Sequence, residues 1–205
     1  MSRKVVYTLG SVDVVKVGVV DYTVGNIGSL VAALRRAGAE VVVISTPEEA
    51  EGVDGIVLPG VGTYDSAADL AMRFKDVVGS KPTLAICLGM QLLFESSEEG
   101  SKPGLGVFRG RAERIVARKV PHIGWSYTHV ERELPFLRSD YYYYLHSYGV
   151  PWDPSADYHM AYVELGKRYA AAVYKDGILG VQFHPERSGK AGLELIKSFL
   201  ATWRR

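Results

Sequence analysis

The sequence predicts a single α/β domain, residues 1–205, built on a mostly parallel or mixed sheet flanked by helices. Three observations lead to this fold class: apolar runs rich in β-branched residues, helical patterns between them, and a second half of shorter runs broken by glycine and proline. Continuous apolar runs are typical of strands covered on both faces, and alternation of strands with helices gives parallel sheets. A chain of 205 residues with 47% hydrophobic residues can bury such a core.

The first half of the chain alternates strand and helix. Each strand is predicted from a short, mostly apolar run, and each helix from apolar side chains spaced three or four apart. The predicted strands are 14–21, 40–44, 55–58 and 83–86, and the predicted helices are 27–37, 67–74 and 88–95. This order predicts right-handed crossovers, which gather the carboxyl ends of the strands at one edge of the sheet. Open α/β sheets build their sites at that edge.

The second half of the chain predicts antiparallel or mixed strands and a final helix. Its runs are rich in valine, tyrosine and tryptophan, which favour strands. The predicted strands are 113–117, 141–145, 159–163, 169–174 and 179–183, and apolar residues at helical spacing predict a helix over 191–203. Residues 1–15 precede the first core strand and are predicted to be an N-terminal extension.

Charge and composition exclude several classes of protein. The chain has 24 Lys and Arg against 23 Asp and Glu, so it lacks the cationic excess on which nucleic-acid binding depends. No apolar run approaches the ~20 residues that span a bilayer, and no signal-peptide pattern is present. One cysteine cannot form an intramolecular disulfide. We therefore expect a cytoplasmic protein with a reduced thiol and without nucleic-acid or membrane partners.

The only cysteine, Cys87, lies where a predicted strand passes directly into a predicted helix. A nucleophile on such a sharp turn projects from the sheet, and the small residues Ala85 and Gly89 on either side relieve crowding, as in a nucleophile elbow. The alternative is a buried, inert cysteine, because free cysteine behaves as a small hydrophobic residue.

A partner for this nucleophile occurs late in the chain, at His184 and Glu186. Pro185 favours an extended conformation at His184, and residues two apart on an extended segment face the same way. Cysteine, histidine and carboxylate would then serve as nucleophile, base and orienting group for acyl transfer. Candidate donors for the oxyanion are the N–H of Leu88 and the glycine-rich loop 59–62. Each pattern alone also fits a structural role, as a strand-end histidine beside a solvated glutamate or as an ordinary turn.

Taken together, these motifs resemble the class I, or triad, glutamine amidotransferases. The resemblance runs from about residue 17 to the end of the chain and includes DYTVGN at 21–26, PGVG at 59–62, ICLGMQLLF at 86–94, VPHIGW at 120–125, LHSY at 145–148 and GVQFHPERSG at 180–189. The joint pattern is far more specific than any single motif. It implies a class I glutamine amidotransferase-like fold with the nucleophile elbow at Cys87.

The resemblance implies a reaction and a set of site residues. Cys87 would attack the side-chain amide of glutamine, with His184 shuttling protons and Glu186 orienting it. A thioester forms, ammonia leaves, and water releases glutamate. The implied glutamine-binding positions are Gly60, Val61, Leu88, Gln91, His146, Ser147 and Tyr148. No cofactor is implied, and the remaining histidines show no metal-ligand spacing.

The resemblance also implies a partner subunit. The motif combination is most similar to the glutaminase subunits of histidine biosynthesis, which pass ammonia to a (β/α)8-barrel cyclase in a heterodimer. One domain of this length would leave no second domain to use the ammonia. Residues on motifs near the family's interface are Asn26, Pro121, Ile123 and Trp125. Ile123 and Trp125 fit a core position equally well.

Three alternatives stay open at this point. One is another triad glutaminase, such as the subunit that supplies ammonia for pyridoxal phosphate synthesis. Another is a glutaminase-like fold that acts only as a binding or regulatory module, and the third is a cysteine peptidase on a related fold. The combination of CLGMQ at 87–91 with PHIGW at 121–125 favours the histidine-pathway subunit. Thr23 and Ser126 depart from the family's usual glycine and asparagine, at positions outside the triad.

Overall fold

The computed structural model describes residues 14–22 and 25–203, which form a mixed α/β fold. In chain order its helices and strands are β1 (Lys16–Val20), α1 (Gly28–Arg36), β2 (Glu40–Ile44), β3 (Gly55–Leu58), α2 (Tyr64–Arg73), α3 (Lys75–Ser80), β4 (Thr83–Ile86), α4 (Leu88–Leu92), β5 (Ser96–Ser97), β6 (Arg111–Arg114), β7 (His122–Val130), β8 (Asp140–His146), β9 (Tyr148–Gly149), β10 (His159–Leu165), β11 (Lys167–Lys175), β12 (Ile178–Val181) and α5 (Gly189–Ala201). Short 3-10 helices span Glu48–Gly52 and Pro185–Arg187. The predicted N-terminal extension lies outside the described residues, except for Val14 and Val15.

One large sheet contains a parallel half and an antiparallel half. Its strand order is β2-β1-β3-β4-β12-β11-β10-β7-β8. The strands from β2 to β12 in this order pair in parallel, as predicted for the first half of the chain. From β12 to β8 every neighbouring pair is antiparallel. Three short strands form a second sheet in the order β5-β6-β9.

The inner strands of the parallel half are covered on both faces. All residues of β3, β4 and β12 are buried, as continuous apolar runs predict. Val57 packs in one core cluster with α1 and α5, whereas its neighbour Ile56 packs in a second cluster with α2, α3 and α4. Because successive residues of a strand point to opposite faces, these two clusters lie on opposite sides of the sheet.

The antiparallel half departs most from the sequence prediction. The whole of β7, a strand of nine residues, was not predicted. Outside this half, the strand predicted at 113–117 lies at Arg111–Arg114, and the helix predicted to reach residue 95 ends at Leu92. β8 is last in the strand order, yet Tyr143 O accepts a hydrogen bond from His184 N at 2.8 Å. The antiparallel strands therefore curl back until β8 meets the segment that follows β12. Within the described residues, no helix has the length and apolar character needed to cross a membrane.

Candidate active site

Cys87 lies at the carboxyl end of β4, in the sharp turn that leads into α4. Its backbone has φ 51° and ψ −106°, and a positive φ strains any residue that carries a Cβ atom. Its N–H donates to Val181 O at 2.7 Å, which anchors the turn on β12. A Cβ atom at Gly89 would lie 2.3 Å from Leu58 O, so only glycine fits there. The predicted elbow is present, and a small residue is needed beside it for the reason the sequence suggested.

His184 and Glu186 follow β12, the strand next to β4. His184 Nδ1 lies 2.8 Å from Glu186 Oε1, and both side chains are buried. The route to this contact differs from the prediction, since only His184 is extended, with φ −100° and ψ 95°, and the 3-10 helix Pro185–Arg187 turns the carboxylate back toward the ring. Ser188 Oγ holds the segment by donating to His184 O at 2.7 Å.

The imidazole of His184 lies beside Cys87. A Cβ atom added at Gly60 would be 2.7 Å from Cys87 Cβ and 3.2 Å from His184 Cε1, so the two side chains flank this glycine. His184 Nε2 is buried and has no hydrogen-bond partner among the described residues. Burial lowers the pKa of His184, but interactions with Cys87 and Glu186 outweigh it and raise the pKa to about 10. A charged imidazolium is therefore favoured next to a sulfur that can become a thiolate.

A cleft of about 250 Å³ opens onto Cys87. Its lining contains all of the predicted glutamine-binding residues except Val61, namely Gly60, Leu88, Gln91, His146, Ser147 and Tyr148. Val61 instead packs against the backbone of Gly25, where a Cβ atom would lie 2.5 Å from Val61 Cβ. Gly62, Glu99, Pro121 and Leu145 complete the lining.

A chain of amide hydrogen bonds runs along the wall of this cleft. Gln91 Nε2 donates to Tyr148 O at 2.9 Å and to Gln182 Oε1 at 3.2 Å. Gln182 Nε2 donates to Cys87 Sγ at 3.5 Å. Gln91 Oε1 is buried without a partner among the described residues, so it can accept a hydrogen bond from a ligand.

His146 contributes a neutral imidazole to the cleft. Its Nδ1 lies 2.8 Å from Tyr148 O, and because a carbonyl only accepts, this nitrogen carries the hydrogen. Burial lowers the pKa of His146 to about 4, and the neighbouring His122 and His184 add to this effect. His146 Nε2 is buried and unpartnered among the described residues, and in the neutral ring it is an acceptor.

Sequence reasoning missed three groups at the site. Gln182 lies in the GVQFHPERSG motif, which was quoted without assigning this residue a role. Leu145 O lies 3.6 Å from Cys87 Sγ, and Glu99 lines the cleft with Oε1 accepting from Tyr64 N at 3.3 Å. Glu99 stands in a polar stretch that resembles any solvated loop, so only the fold reveals its position. Leu145 is the first residue of the LHSY motif, which was the one available signal for it.

The residues predicted at a partner interface are all exposed: Asn26, Pro121, Ile123 and Trp125. Ile123 is 55% exposed and Trp125 54%, so the alternative that they are core residues is wrong. Tyr127 and Tyr141 are exposed as well, and their rings lie 5.2 Å apart. We call Ile123, Trp125, Tyr127 and Tyr141 the aromatic face.

Other parts of the structure offer weaker candidates for an active site. A larger cleft of about 630 Å³ is lined by residues that include Trp152, Lys167 and Arg168, but by no cysteine or histidine. Within residues 14–22 and 25–203, no group of three or more histidine, cysteine or acidic side chains could hold a metal ion. The Cys87 cleft is smaller than this one, but it opens onto a cysteine that has His184 and Glu186 behind it.

Comparison with known families agrees with this geometry. The family model described as "Glutamine amidotransferase class-I" matches residues 18–203, which include the nucleophile elbow and the His184 segment. The chain belongs to the class I glutamine amidotransferases. The predicted family, fold class and amidotransferase activity are thereby confirmed.

Curated relatives are similar over nearly the whole chain. "Imidazole glycerol phosphate synthase subunit HisH" of Pyrobaculum aerophilum is 65% identical over 189 residues, covering 92% of this chain and 99% of that protein. The protein of the same name from Gloeothece citriformis is 42% identical over 203 residues, covering 90% and 94%. A chain in the "Structure of PurLQS from Thermotoga maritima" has a TM-score of 0.74 at 19% identity, covering 92% of this chain and 99% of that one. At that identity the structural likeness shows the amidotransferase fold alone.

Proposed function

We propose that this amidotransferase is the glutaminase subunit of an imidazole glycerol phosphate synthase. It hydrolyses L-glutamine to glutamate and ammonia, and the ammonia passes to a (β/α)8-barrel cyclase that forms imidazole glycerol phosphate and AICAR in histidine biosynthesis. The observation that carries the proposal is the arrangement of Cys87, His184 and Glu186, in which His184 lies beside the cysteine that lines the cleft and contacts the glutamate on its other side. Curated relatives that bear the name of this subunit match the chain along most of its length.

The first half of the reaction is the transfer of the glutamine acyl group to sulfur. The Cys87 thiolate attacks the side-chain carbonyl carbon, and the carbonyl oxygen becomes an oxyanion. The Leu88 N–H at the start of α4 and the backbone of loop 59–62, which line the cleft, would stabilise that charge. His184 Nε2–H then protonates the amide nitrogen, the C–N bond breaks, and ammonia leaves behind a thioester. Glu186 stabilises the imidazolium and fixes the ring at Nδ1.

The second half of the reaction is hydrolysis of the thioester. His184 is now neutral at Nε2 and takes a proton from water as the water oxygen attacks the thioester carbon. The C–S bond breaks, the thiolate of Cys87 is restored, and glutamate leaves the cleft. One histidine therefore acts first as acid and then as base, and its pKa near 10 favours the charged form before the attack.

The cleft also offers groups for the amino-acid end of glutamine. Gln91 and Glu99 both line the cleft. The Glu99 carboxylate is suited to accept a hydrogen bond from the α-ammonium group, and the buried Gln91 Oε1 offers a second acceptor beside it. The main chain at Ser147 and Tyr148 is suited to the α-carboxylate. Recognition of both charged groups would select free glutamine over a glutamine side chain within a peptide, which favours the glutaminase over the peptidase alternative.

The aromatic face is the surface we assign to the cyclase. Its exposed Trp, Ile and Tyr side chains have the composition that is enriched in interface cores. Trp125 also lies near the catalytic segment, since a Cβ atom at Gly189 would be 3.9 Å from its ring. Asn26 and Pro121 complete the proposed interface. A heterodimer formed by the whole chain as one domain, in the cytoplasm where Cys87 stays reduced, belongs to the same proposal.

The test is a glutaminase assay of the chain with and without a ligand-bound cyclase. We expect weak hydrolysis by the isolated chain, stimulation by the cyclase, and complete loss in Cys87→Ala with cyclase binding retained. Full activity of Cys87→Ala would exclude the proposed mechanism. Co-purification with a barrel that makes pyridoxal phosphate would instead support the other triad glutaminase. A Cys87 that reacts with a glutamine-analogue electrophile no faster than a model thiol would support a binding module.

A further inference from the structure

We propose that Gln182 stabilises the thiolate of Cys87 by donating a hydrogen bond from its side-chain amide to the sulfur. Gln91 holds the Gln182 amide in the orientation that allows this hydrogen bond. The inference deepens the proposed glutaminase function and rests on it for its biological meaning. It adds to the triad a neutral donor that touches the reacting atom.

The sheet register brings Gln182 next to Cys87. β4 and β12 pair in parallel with Ile86 opposite Val181, and each of the two residues in question follows directly. The backbone on both sides is hydrogen-bonded, with Cys87 N donating to Val181 O at 2.7 Å and Gln182 N donating to Ala171 O at 2.9 Å. Gln182 is fully buried, so its amide must find its partners inside the protein.

The orientation of the Gln182 amide is fixed, through Gln91, by the backbone carbonyl of Tyr148. Tyr148 O is a backbone carbonyl and only accepts, so the atom of Gln91 that lies 2.9 Å away is the nitrogen. That same nitrogen lies 3.2 Å from the Gln182 amide, which must therefore present its oxygen. The Gln182 nitrogen then faces Cys87 Sγ at 3.5 Å, with a hydrogen to donate.

The sulfur consequently has neighbours with opposite preferences. Leu145 O, at 3.6 Å, can accept from an S–H group and so favours the neutral thiol. The N–H of Gln182 favours the thiolate, because hydrogen bonds to charged groups are stronger than those between neutral groups. Unlike the charged His184, Gln182 donates in every protonation state of the triad. It therefore continues to stabilise the sulfur when the C–S bond of the thioester breaks and the thiolate returns.

The same chain of amides links substrate binding to the nucleophile. Gln91 lines the cleft and keeps one buried oxygen free of partners among the described residues, whereas its nitrogen orients Gln182. A ligand that binds Gln91 Oε1 would hold the Gln91 side chain more firmly and, through it, the donor on Cys87. The link is short, since a single amide separates the ligand-binding side chain from the sulfur.

The experiment measures alkylation of Cys87 by iodoacetamide as a function of pH in the full-length chain. Cys87 is the only cysteine, so mass spectrometry reports this site alone. Gln182→Met keeps the length of the side chain and removes the donor, and we expect it to slow alkylation at pH 7 about tenfold and to shift the pH midpoint upward by about one unit. No glutamine or cyclase is needed, so a chain without glutaminase activity would contradict the proposed function and leave this test intact.

Thr83→Val serves as the matched control. Thr83 is fully buried at the other end of β4, and its hydroxyl donates to Lys81 O at 3.0 Å, so the variant also loses one buried hydrogen bond. We expect a lower unfolding temperature for Thr83→Val with an unchanged alkylation profile. An unchanged profile in folded Gln182→Met would overturn the inference, because a merely structural Gln182 affects stability and not the thiol. Should Gln182→Met fail to fold, Gln91→Met tests the inference in the same assay. This change frees the Gln182 amide to rotate, so it should also slow alkylation, and an unchanged profile would overturn the inference.

Discussion

The parallel and antiparallel halves of the large sheet supply different things to the site. The inner parallel strands β3, β4 and β12 are buried on both faces, and the segments that follow them carry Gly60, Cys87 and His184. The antiparallel strands supply a wall of the cleft through Leu145 and His146, and they carry most of their large exposed apolar side chains on one outer face. The groups that make and break bonds therefore lie where the backbone is held from both sides, whereas the surface suited to a partner lies where one face of the sheet is left uncovered.

The largest effect is expected from a substitution that disrupts the contact between the loop after β3 and the catalytic side chains. In Gly60→Ala the new Cβ would lie 2.7 Å from Cys87 Cβ and 2.8 Å from Ile86 O, so the loop or the elbow must move. Because loss of oxyanion donors costs about 100- to 1,000-fold, we expect kcat/KM for glutamine to fall by about that factor. A steady-state glutaminase assay measures it.

Gly79→Ala is the control for this glycine substitution. Gly79 lies in α3, and no atom comes within 4 Å of a Cβ placed there. Alanine favours helix over glycine by about 1 kcal/mol, so this variant should be slightly more stable and equally active. If both variants kept wild-type activity, the packing of loop 59–62 against the elbow would be irrelevant to catalysis.

The two halves also differ in how far the sequence predicts them. β2, β3 and β4 were predicted with their observed bounds, because runs such as Gly55–Leu58 are apolar and are followed by turn residues. β7 was missed because its pattern is inverted: Ile123, Trp125 and Tyr127 point to solvent, and Gly124 interrupts the run. The rule that apolar residues face the core does not predict a strand whose apolar side chains face solvent.

The candidate site shows the same limit. Cys87, His184 and Glu186 could be found because each stands beside a turn whose local chemistry is distinctive. Glu99 and Gln182 could not be assigned roles, because their importance depends on strand register and on a loop position that arises only in the folded chain. The local sequence indicates which chemistry a side chain can perform, whereas the strand register determines which groups that side chain contacts in the folded chain.

The next effect is expected from a substitution on the antiparallel half, and it tests whether this half binds the cyclase. Trp125→Ala should weaken binding of the cyclase about 30-fold, because a large aromatic side chain at the centre of an interface often contributes about 2 kcal/mol. Titration calorimetry or surface plasmon resonance with the purified cyclase measures the dissociation constant.

Val43→Ala provides the comparison on the opposite edge of the sheet. Val43 lies on β2 and is 46% exposed, so the change removes apolar surface far along the strand order from β8. We expect it to leave the dissociation constant unchanged. Equal weakening by both variants would show that the cyclase does not prefer the aromatic face.

The two halves should also differ in their sensitivity to acid. Burial lowers the pKa of His146 and of His159 to about 4, and both belong to antiparallel strands. Between pH 6.5 and pH 4 the unfolded chain binds protons at these positions and the folded chain does not, so stability falls as pH falls. Each histidine contributes about 1.4 kcal/mol per pH unit in this window. His184 does not add to this loss, because its raised pKa keeps it protonated in the folded state and the unfolded state becomes protonated as well as the pH falls below 6.5.

His159→Asn tests this contribution. His159 Nδ1 accepts from Asp153 N at 3.1 Å, and an asparagine oxygen can take over that role without titrating. Urea unfolding at pH 6.5 and pH 5 should show a smaller loss of free energy in the variant than in the wild type. Native-state hydrogen exchange should show β10 and its neighbours losing protection before β3 and β4. Equal losses in both proteins would mean that His159 is already protonated in the fold.

The backbone at Cys87 has a consequence for anyone who selects variants of this protein. With φ 51° the position stores strain that any residue with a Cβ atom must carry, typically about 1 to 3 kcal/mol, whereas glycine adopts that region freely. A library of variants selected only for heat resistance would therefore be enriched in glycine at position 87. Its most stable variants would lack the nucleophile and would be inactive. Selection has to couple survival to ammonia release if it is to keep the strained thiol.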